Sequence, residues 1–467
     1  MRSLTINPHS GSYKDPDAFV IVKDDQCFRV ITQNYSRQYT HLMESGLYKE
    51  LVSHDLLIPH TEEDLIISNS FKVLLPQQVP FISYPYEWSF SELKDAALLT
   101  LDIQLKALEH GMTLKDASAF NVQFLGADPV FIDTGSFELL DKSRPWVAYG
   151  QFCRHFLAPL ALMSYTDLRL NTLLSVNLDG IPLDLCVKLL PYRSKFNLGL
   201  FTHLHLHAKA VKRFEGKNKE VRSAQRFTVN HLINIIRHLR LTVESLGSSG
   251  QKTVWDDYYS HNNNYSEKAF QAKSEWISSQ LEKRKTVVSS VWDMGANDGT
   301  FSRIPASKGM HVIAMDIDSN AVDVNYLRLK KDQEKHILPL VIDLANPSTA
   351  NGWNTQERES LFQRPAPDLI LALALVHHLV IGLNVPLQNI ASFFAQHTRT
   401  YLLIEFVAPD DSQVKKLLLN RKGQFGDYTM TAFRLAFEQY FVLEDQHHLP
   451  ETQRTLFLFR KKVNDQV

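Results

Sequence analysis

The sequence predicts two fold classes in one chain, an α+β half followed by an α/β half. In residues 255–467, short apolar runs alternate with helix-sized segments, a rhythm typical of a mostly parallel sheet with helices on both faces. A glycine-bounded turn follows the first of these runs, and acidic residues follow the next ones. In the first half, strand-like alternation stands near the start and long amphipathic helices follow.

Chain length and a glycine-serine run predict the domain boundaries. A chain of 467 residues is too long for one hydrophobic core, so more than one domain is expected. The run Gly-Ser-Ser-Gly at 247–250 has the composition of a flexible joint. We therefore divide the chain into an α+β domain at 1–225 (small lobe 1–85, helical lobe 86–225), a helix and linker at 226–254, and an α/β domain at 255–467.

Charge and cysteine content argue against several classes of protein. The 50 basic and 51 acidic side chains nearly cancel, so the total charge gives no reason to favour nucleic acid or an anionic membrane. The three cysteines have no paired spacing, so neither a disulfide framework nor a metal site is predicted. No apolar run reaches the about 20 residues that cross a bilayer. We expect a cytoplasmic protein, and a membrane is not an expected partner.

Residues 208–226 are rich in lysine and arginine. A nucleic-acid patch is one interpretation of such a run, and a solvated loop is the interpretation we favour. Nucleic acid is therefore not an expected partner.

Apolar periodicity predicts the elements of the first half. The alternation in Phe19–Thr32 is typical of a β-hairpin, and Phe90–His110 carries the apolar stripe of a long amphipathic helix. The remaining patterns predict a helix over Tyr39–Leu57, strands at Leu65–Ile67 and Val79–Tyr84, and mainly helical structure from 146 to 210.

The most informative stretch is VWDMGANDGTFS at residues 291–302. It predicts a strand ending in an acid, a tight turn and the start of a helix. In a doubly wound sheet such a turn lies at the carboxyl ends of the strands, where ligands bind. A dinucleotide site needs glycine where this sequence has Asn297 and Thr300, and no P-loop lysine follows. The turn therefore favours a ligand without a pyrophosphate.

The pattern Asp293-x-Gly295-x-Asn297-x-Gly299 resembles motif I of the class I, Rossmann-like S-adenosylmethionine (SAM)-dependent methyltransferases. The resemblance covers roughly residues 255–461. It implies a mostly parallel seven-stranded sheet, SAM as the cofactor, and methyl transfer as the reaction.

The same resemblance gives roles to acids at the next two strand ends. Asp316 stands about 20 residues beyond the turn, and the resemblance implies that it binds the ribose hydroxyls. Asp343 would contact the adenine amino group, with Leu344 against the ring. In related enzymes the leading helix closes over the cofactor, so Trp255, Tyr258, Tyr259, Tyr265 and Lys273 are candidates to reach its carboxylate; aromatic packing onto the sheet is the alternative.

Candidate catalytic residues lie at the end of the predicted fourth strand. Methyl transfer needs an aligned nucleophile, and a base helps only where the acceptor loses a proton. His377 and His378 end the run that begins at Asp368, and adjacent strand residues point to opposite faces, so at most one should face the substrate. We prefer His378; the alternative is that both are structural. Glu405, at the end of the fifth strand, is a further candidate for the acceptor pocket.

A second pattern lies in the first half. Asp116-x4-Asn121, a short hairpin and Asp133-x-Gly135 resemble the catalytic loop and metal-binding segment of the kinase-like and aminoglycoside-phosphotransferase fold. The resemblance implies that Asp116 orients an acceptor hydroxyl while Asn121 and Asp133 hold magnesium.

The first half also departs from that family. No glycine-rich loop precedes Phe19, the usual strand lysine has only Lys23 or Arg29 as counterparts, and Leu114 replaces the usual histidine. A helical domain that merely holds these residues is one alternative, and a degenerate kinase-like lobe that binds the acceptor or a partner is the interpretation we favour. A kinase-like half joined to a methyltransferase half also resembles nodulation-type bacterial methyltransferases.

The leading hypothesis is a SAM-dependent methyltransferase acting on a small molecule, with the first half supplying recognition or scaffolding. A bifunctional phosphotransferase-methyltransferase is the second hypothesis. A non-enzymatic protein with a vestigial cofactor pocket is the third.

Overall fold

The computed structural model describes residues 8–24, 26–214, 228–248, 266–419 and 425–463. The chain divides into two compact units, Met1–Gly250 with Ala350–Glu359, and Gln251–Thr349 with Ser360–Val467. The ten-residue segment at 350–359 therefore belongs to the first unit, although the chain on both sides of it belongs to the second. Within the described residues, no helix combines the length and apolarity needed to cross a membrane.

The first unit begins with a four-stranded antiparallel sheet in the order β1-β2-β4-β3. Strands β1 (Ala18–Lys23) and β2 (Gln26–Thr32) form the predicted hairpin, and β3 (His60–Glu63) and β4 (Ser70–Pro76) complete the sheet. Ile21, Val30 and Val73 pack together on one face, so the alternation in the sequence does reflect a half-buried sheet.

Two predicted strands and one predicted helix of this unit are wrong. The segments Leu65–Ile67 and Val79–Tyr84 are not strands; β3 and β4 take that role. Strand β3 is a polar edge strand, so no apolar alternation marks it. The helix expected over Tyr39–Leu57 is broken at Gly46, whose φ of +86° ends one helix and starts the next.

The helical part of the first unit is organised around one long helix at Phe90–Glu109. Ser89 and Glu92 form a capping box that satisfies the first backbone N–H groups of this helix, and Gly111 (φ +71°) follows its end. The helices are α1 (Ser36–Glu44), α2 (Leu47–Ser53), α3 (Phe90–Glu109), α4 (Tyr149–Phe152), α5 (Ala158–Tyr165), α6 (Leu173–Val176), α7 (Leu183–Leu189), α8 (Leu198–Leu200), α9 (His207–Phe214) and α10 (Val229–Ser245). Two π-helical stretches occupy Cys153–Leu157 and Phe201–Leu206.

Two short strand pairs follow α3. Strand β5 (Met112–Leu114) pairs with β8 (Phe137–Leu139), and β6 (Val122–Leu125) pairs with β7 (Asp128–Phe131), all antiparallel. The residues between these strands are those of the second sequence pattern, so the pairs hold its two acidic segments near each other.

The second unit is a seven-stranded sheet in the order β11-β10-β9-β12-β13-β15-β14. Its strands are β9 (Ser290–Met294), β10 (His311–Asp316), β11 (Ile337–Val341), β12 (Leu369–Ala372), β13 (Tyr401–Val407), β14 (Phe441–His448) and β15 (Arg454–Lys461). The first five are parallel, and β15 runs antiparallel to both β13 and β14. This is the Rossmann-like, mostly parallel seven-stranded sheet with the terminal hairpin that the sequence predicts.

Helices of the second unit are α11 (Glu267–Glu282), α12 (Arg303–Ala306), α13 (Ser319–Asp332), α14 (Leu387–His397), α15 (Ser412–Leu418) and α16 (Met430–Glu438), with a π-helical stretch at His378–Gly382. The strand order reverses at β9, which lies between β10 and β12. In open α/β sheets, ligands bind beyond the carboxyl ends of the strands at such a reversal.

Candidate functional site

The glycine turn lies directly after β9 and is fastened to β10. The backbone N–H groups of Gly295 and Ala296 both donate to the carbonyl of Met315 at 2.9 Å. Gly295, Asn297 and Gly299 all have positive φ, at +81°, +51° and +71°. Glycine adopts this region freely and asparagine tolerates it, so the spacing of these residue types matches the shape of the turn.

Gly299 has a second constraint from packing. A Cβ added at this position would lie 2.3 Å from the side-chain amide of Asn325 on α13. Arg303 fills the same corner, since its Nη1 donates to the carbonyl of Gly299 at 2.7 Å and to Asn325 Oδ1 at 3.1 Å. Glycine is therefore required here by helix packing as well as by backbone conformation.

Asp316, at the end of β10, lies against the turn. The N–H of Asn297 donates to Asp316 Oδ2 at 2.7 Å, and the N–H of Asp318 donates to Oδ1 at 2.9 Å. Burial raises the pKa of the Asp316 carboxyl above its usual value, although these two N–H groups oppose the shift. The structure therefore places the predicted ribose-binding acid beside the predicted turn.

Asp293, at the end of β9, lies beneath the turn. Its side chain is 1% exposed, and the Ser302 hydroxyl donates to its Oδ2 at 2.6 Å. Burial raises the pKa of this carboxyl to about 6, although Ser302 and the nearby Lys273 oppose the rise. Asp293 thus joins the strand to the start of the following helix.

Asp343 and Leu344 follow β11 and are partly buried. The Ile342 N–H donates to the carbonyl of Asp316 at 2.8 Å, so the ends of β10 and β11 are joined. One carboxylate oxygen of Asp343 accepts the N–H of Ala345 at 2.8 Å, which closes a local turn.

A buried network of ionised side chains lies at the ends of β13 and β15. Lys273 of α11 donates to Glu405 Oε2 at 2.7 Å, and the two side chains are 1% and 0% exposed. Arg454 Nη1 is 3.8 Å from Glu405 Oε1, and its Nε donates to Asp411 at 2.9 Å. Burial lowers the pKa of Lys273, while Glu405 opposes this. Positively and negatively charged side chains alternate in this network, so its net charge is close to zero.

His377 and His378 do not lie on the fourth strand, and that expectation is wrong. Strand β12 ends at Ala372, Ala374 turns with φ +50°, and a helical stretch then begins at Val376. The two rings therefore lie on one side, with centroids 4.2 Å apart, instead of pointing to opposite faces.

His377 is more deeply buried than His378. His377 is fully buried, and neither of its ring nitrogens has a hydrogen-bond partner within the described residues. Burial lowers the pKa of His377 well below its ordinary value and that of His378 to about 4. Both rings are therefore neutral at neutral pH.

The second sequence pattern forms a connected cluster in the first unit. Asn121 Nδ2 donates to Ser136 Oγ at 3.1 Å, and the Ser136 hydroxyl in turn donates to Asp133. Asp116 accepts the side-chain amide of Gln151 at 2.9 Å. Burial, followed by the negative charge of Asp133, raises the pKa of Asp116.

Asp133, the acid at the centre of this cluster, is already paired with a cation. Arg29, on β2, forms an ion pair with Asp133 Oδ1, the oxygen that also accepts the N–H of Gly135 at 3.0 Å. Lys115 donates to Asp17 at 2.6 Å close by. Among the described residues, no group of three or more His, Cys, Asp and Glu side chains is arranged to hold a metal ion.

Some predicted positions lie outside the described residues, namely Trp255, Tyr258, Tyr259 and Tyr265, together with residues 215–226 of the basic run. Sequence analysis in turn missed Arg454 and Asp411. Nothing in their spacing marks them, because their pairing depends on the antiparallel return of β15 beside β13.

Comparisons with known proteins give one relative over nearly the full length. The nodulation protein NoeA of Rhizobium meliloti (strain 1021) is 32% identical over 468 aligned positions, which cover 97% of this chain and 96% of that protein. No family model matches the chain.

Solved structures resemble part of the chain. Magnesium protoporphyrin IX methyltransferase from Synechocystis PCC 6803 matches with 14% identity and a TM-score of 0.31, covering 42% of this chain and 84% of that chain. N-methyltransferase NodS from Bradyrhizobium japonicum WM9 matches with 15% identity and a TM-score of 0.29, covering 40% of this chain and 95% of that chain.

Proposed function

This chain belongs to the family of the nodulation protein NoeA, and we propose that its second unit is a class I SAM-dependent methyltransferase. The observation that carries the proposal is the hydrogen bond from Asn297 N–H to the Asp316 carboxylate. It brings the glycine turn and the acid of the neighbouring strand together where the strand order reverses. The domain would span 255–467 apart from the segment 350–359, after an α+β domain at 1–225 and a helix and linker at 226–254.

The residues around the turn fit SAM. Glycines at 295 and 299 allow the positive φ angles that shape the turn. The Asp316 carboxylate accepts backbone N–H groups from Asn297, Ile317 and Asp318, and its two oxygens have about four lone-pair sites, so acceptor capacity is left for a ribose hydroxyl. We assign the adenine to Asp343 and Leu344, and Asp293 to support of the turn. SAM supplies an electrophilic methyl group, and the chain binds and orients it.

His378 is our candidate for the group that receives a proton from the acceptor. With a pKa of about 4 it is in the basic form at neutral pH, which general-base catalysis requires. His377 would bind a polar group of the acceptor, because a buried ring with two unpartnered nitrogens costs free energy until a partner arrives. These two roles are separable by substitution of one ring at a time.

The acceptor is proposed to be a small molecule whose reacting group is uncharged. The buried charges near the ends of β13 and β15 pair with each other, Lys273 with Glu405 and Arg454 with Asp411. Buried charges that are already paired with each other offer no counterion to an anionic or cationic acceptor.

For the first unit we propose recognition or scaffolding, in a kinase-like lobe without phosphotransfer. A bifunctional phosphotransferase would need Asp133 to hold magnesium. The ion pair with Arg29 already compensates the charge of Asp133, and Ser136 donates to its second oxygen.

Calorimetric titration of the full chain with SAM tests the proposed function. We expect binding, and we expect Asp316→Ala to weaken it at least about tenfold, because hydrogen bonds to a charged group contribute about 1.5–3 kcal/mol. Asp332→Ala, an exposed acid on α13, is the matched control and should bind as the wild type does. A wild-type chain that does not bind SAM would support a vestigial pocket and refute the proposal.

A further inference from the structure

An exposed patch of aromatic and aliphatic side chains lies in the first unit, between α7 and α9. Tyr192, Phe196 and Leu198 are 71%, 80% and 70% exposed. The rings of Tyr192 and Phe196 meet edge to face with centroids 5.8 Å apart, so they form one surface. Large apolar side chains that are exposed together, and not singly, mark an interaction site.

The patch is a fixed part of the fold. Ser194, between the two aromatic residues, is buried and shares a hydrogen bond of 3.0 Å with His205 on the π-helical stretch. Arg193 donates to the carbonyl of Tyr165 at 2.9 Å. Gly199, next to Leu198, packs so closely on Thr242 that an added Cβ would lie 2.1 Å from its hydroxyl. The exposed side chains are therefore held outward by a buried base.

The patch lies in a run of the sequence that has no acidic residue, although Lys188 in this run pairs with Asp184 just before it. From Leu185 to Phe214 the sequence contains neither aspartate nor glutamate. The ammonium group of Lys195 lies 4.4 Å from the ring centroid of Tyr192, so a cation and the aromatic surface are in contact. Side chains that are both basic and exposed in this run are Lys188, Arg193, Lys195, Lys209 and Lys212.

We propose that this basic-aromatic patch binds the surface of an anionic lipid bilayer. Phe196, Tyr192 and Leu198 would enter the boundary between headgroups and acyl chains, while the lysines face the lipid phosphates. The near-zero net charge of the whole chain does not oppose this, because surface attraction acts over about one Debye length and is therefore local.

The aliphatic side chains favour a bilayer over nucleic acid. Leu189, Leu206 and Val211 are also exposed within the same acid-free run. Single-stranded nucleic-acid sites stack bases on aromatic rings, and exposed leucine or valine adds no stacking there. A headgroup boundary accepts both kinds of apolar side chain, with lysine and arginine beside them. The proposal does not depend on the methyltransferase assignment.

Sedimentation of the full chain with lipid vesicles tests the proposal. We expect binding to phosphatidylcholine vesicles that contain phosphatidylglycerol, little binding to phosphatidylcholine alone, and release by added salt. The double variant Lys195→Gln/Lys209→Gln should bind about 30-fold more weakly, since each basic residue near such a surface contributes about 1 kcal/mol. Phe196→Ser/Leu198→Ser should bind at least about tenfold more weakly.

Matched variants on other surfaces of the same unit serve as controls. Lys49→Gln/Lys142→Gln removes two exposed lysines, and Ile66→Ser removes an apolar side chain that is 68% exposed; both should bind vesicles as the wild type does. Equal binding to both vesicle types, no binding, or unchanged binding of the patch variants would overturn the proposal. The proposal would also be overturned if the protein did not bind vesicles and the patch variants changed RNA binding or oligomeric mass.

Discussion

The segment Asp133–Gly135 and the turn Asp293–Gly299 both place carboxylates after a strand, and both match a family pattern. In the first, a guanidinium pairs with Asp133, and Lys115 neutralises a neighbouring acid. In the second, Asp293 is held by a hydroxyl and Asp316 by backbone N–H groups. A sequence motif therefore predicts where acidic residues lie but not which cations pair with them.

The counter-charges decide what each acid can still do. A carboxylate paired with arginine has its charge satisfied by the fold and serves structure. A carboxylate held by neutral donors keeps acceptor capacity and carries a raised pKa, which is typical of ligand sites. In the second unit Lys273, whose charge acts on Asp293, is bound to Glu405 instead.

Removing Glu405 gives the largest expected effect on this comparison. Glu405→Ala leaves Lys273 and Arg454 buried without their shared anion, so we expect a loss of about 3–5 kcal/mol in the free energy of unfolding. Denaturant titration measures it. The control variant Glu282→Ala removes the exposed partner of Lys285 and should leave the denaturant concentration at the midpoint of unfolding unchanged. Equal effects of the two variants would mean that burial does not set the strength of the inner pair.

The pH dependence of Asp293 gives an intermediate effect. A carboxyl whose pKa rises on folding stabilises the folded state at low pH, and this contribution is lost as pH rises from about 4 through about 6. The stability of the wild type relative to Asp293→Asn should therefore fall by about 2–3 kcal/mol between pH 4 and pH 7. Denaturant titrations at both pH values measure the change. A difference that is independent of pH would show that the carboxyl is ionised throughout.

The smallest expected effect concerns the ion pair of the first unit. Arg29→Met should cost about 1–2 kcal/mol of stability, because the pair is only partly buried, and the added change Asp133→Asn should restore most of it. A double-mutant cycle measures the coupling. Titration of the wild type with ATP and magnesium sharpens the result, since binding that Asp133→Ala weakens would contradict a structural role for the acid.

Elements with strong local signals were predictable from sequence. Every residue of strand β11 is apolar, as expected of a strand buried on both faces, so its sequence alone marks it as a strand. The first helical residue of α3 was predicted at Phe90, since its capping residues are local. Strand β3 was missed because polar edge strands carry no alternation.

The candidate site was predictable where neighbouring residues build it. The glycine turn and Asp316 lie at the ends of two adjacent strands. Their spacing in the sequence was therefore enough to predict that they lie side by side. The helical stretch at His378 depends on the turn at Ala374, and Arg454 depends on a strand that returns antiparallel. Such features arise from tertiary contacts, and one sequence gives no signal for them.

The ten residues from 350 to 359 set a limit on how this molecule can be divided. They stand between β11 and β12 of the second unit, yet Glu357 accepts the hydroxyl of Tyr13 and pairs with Lys14 in the first. A single cut near residue 250 therefore cannot separate the polypeptide into two self-sufficient fragments. Truncated, transplanted or recombined variants must therefore keep the polypeptide in one piece.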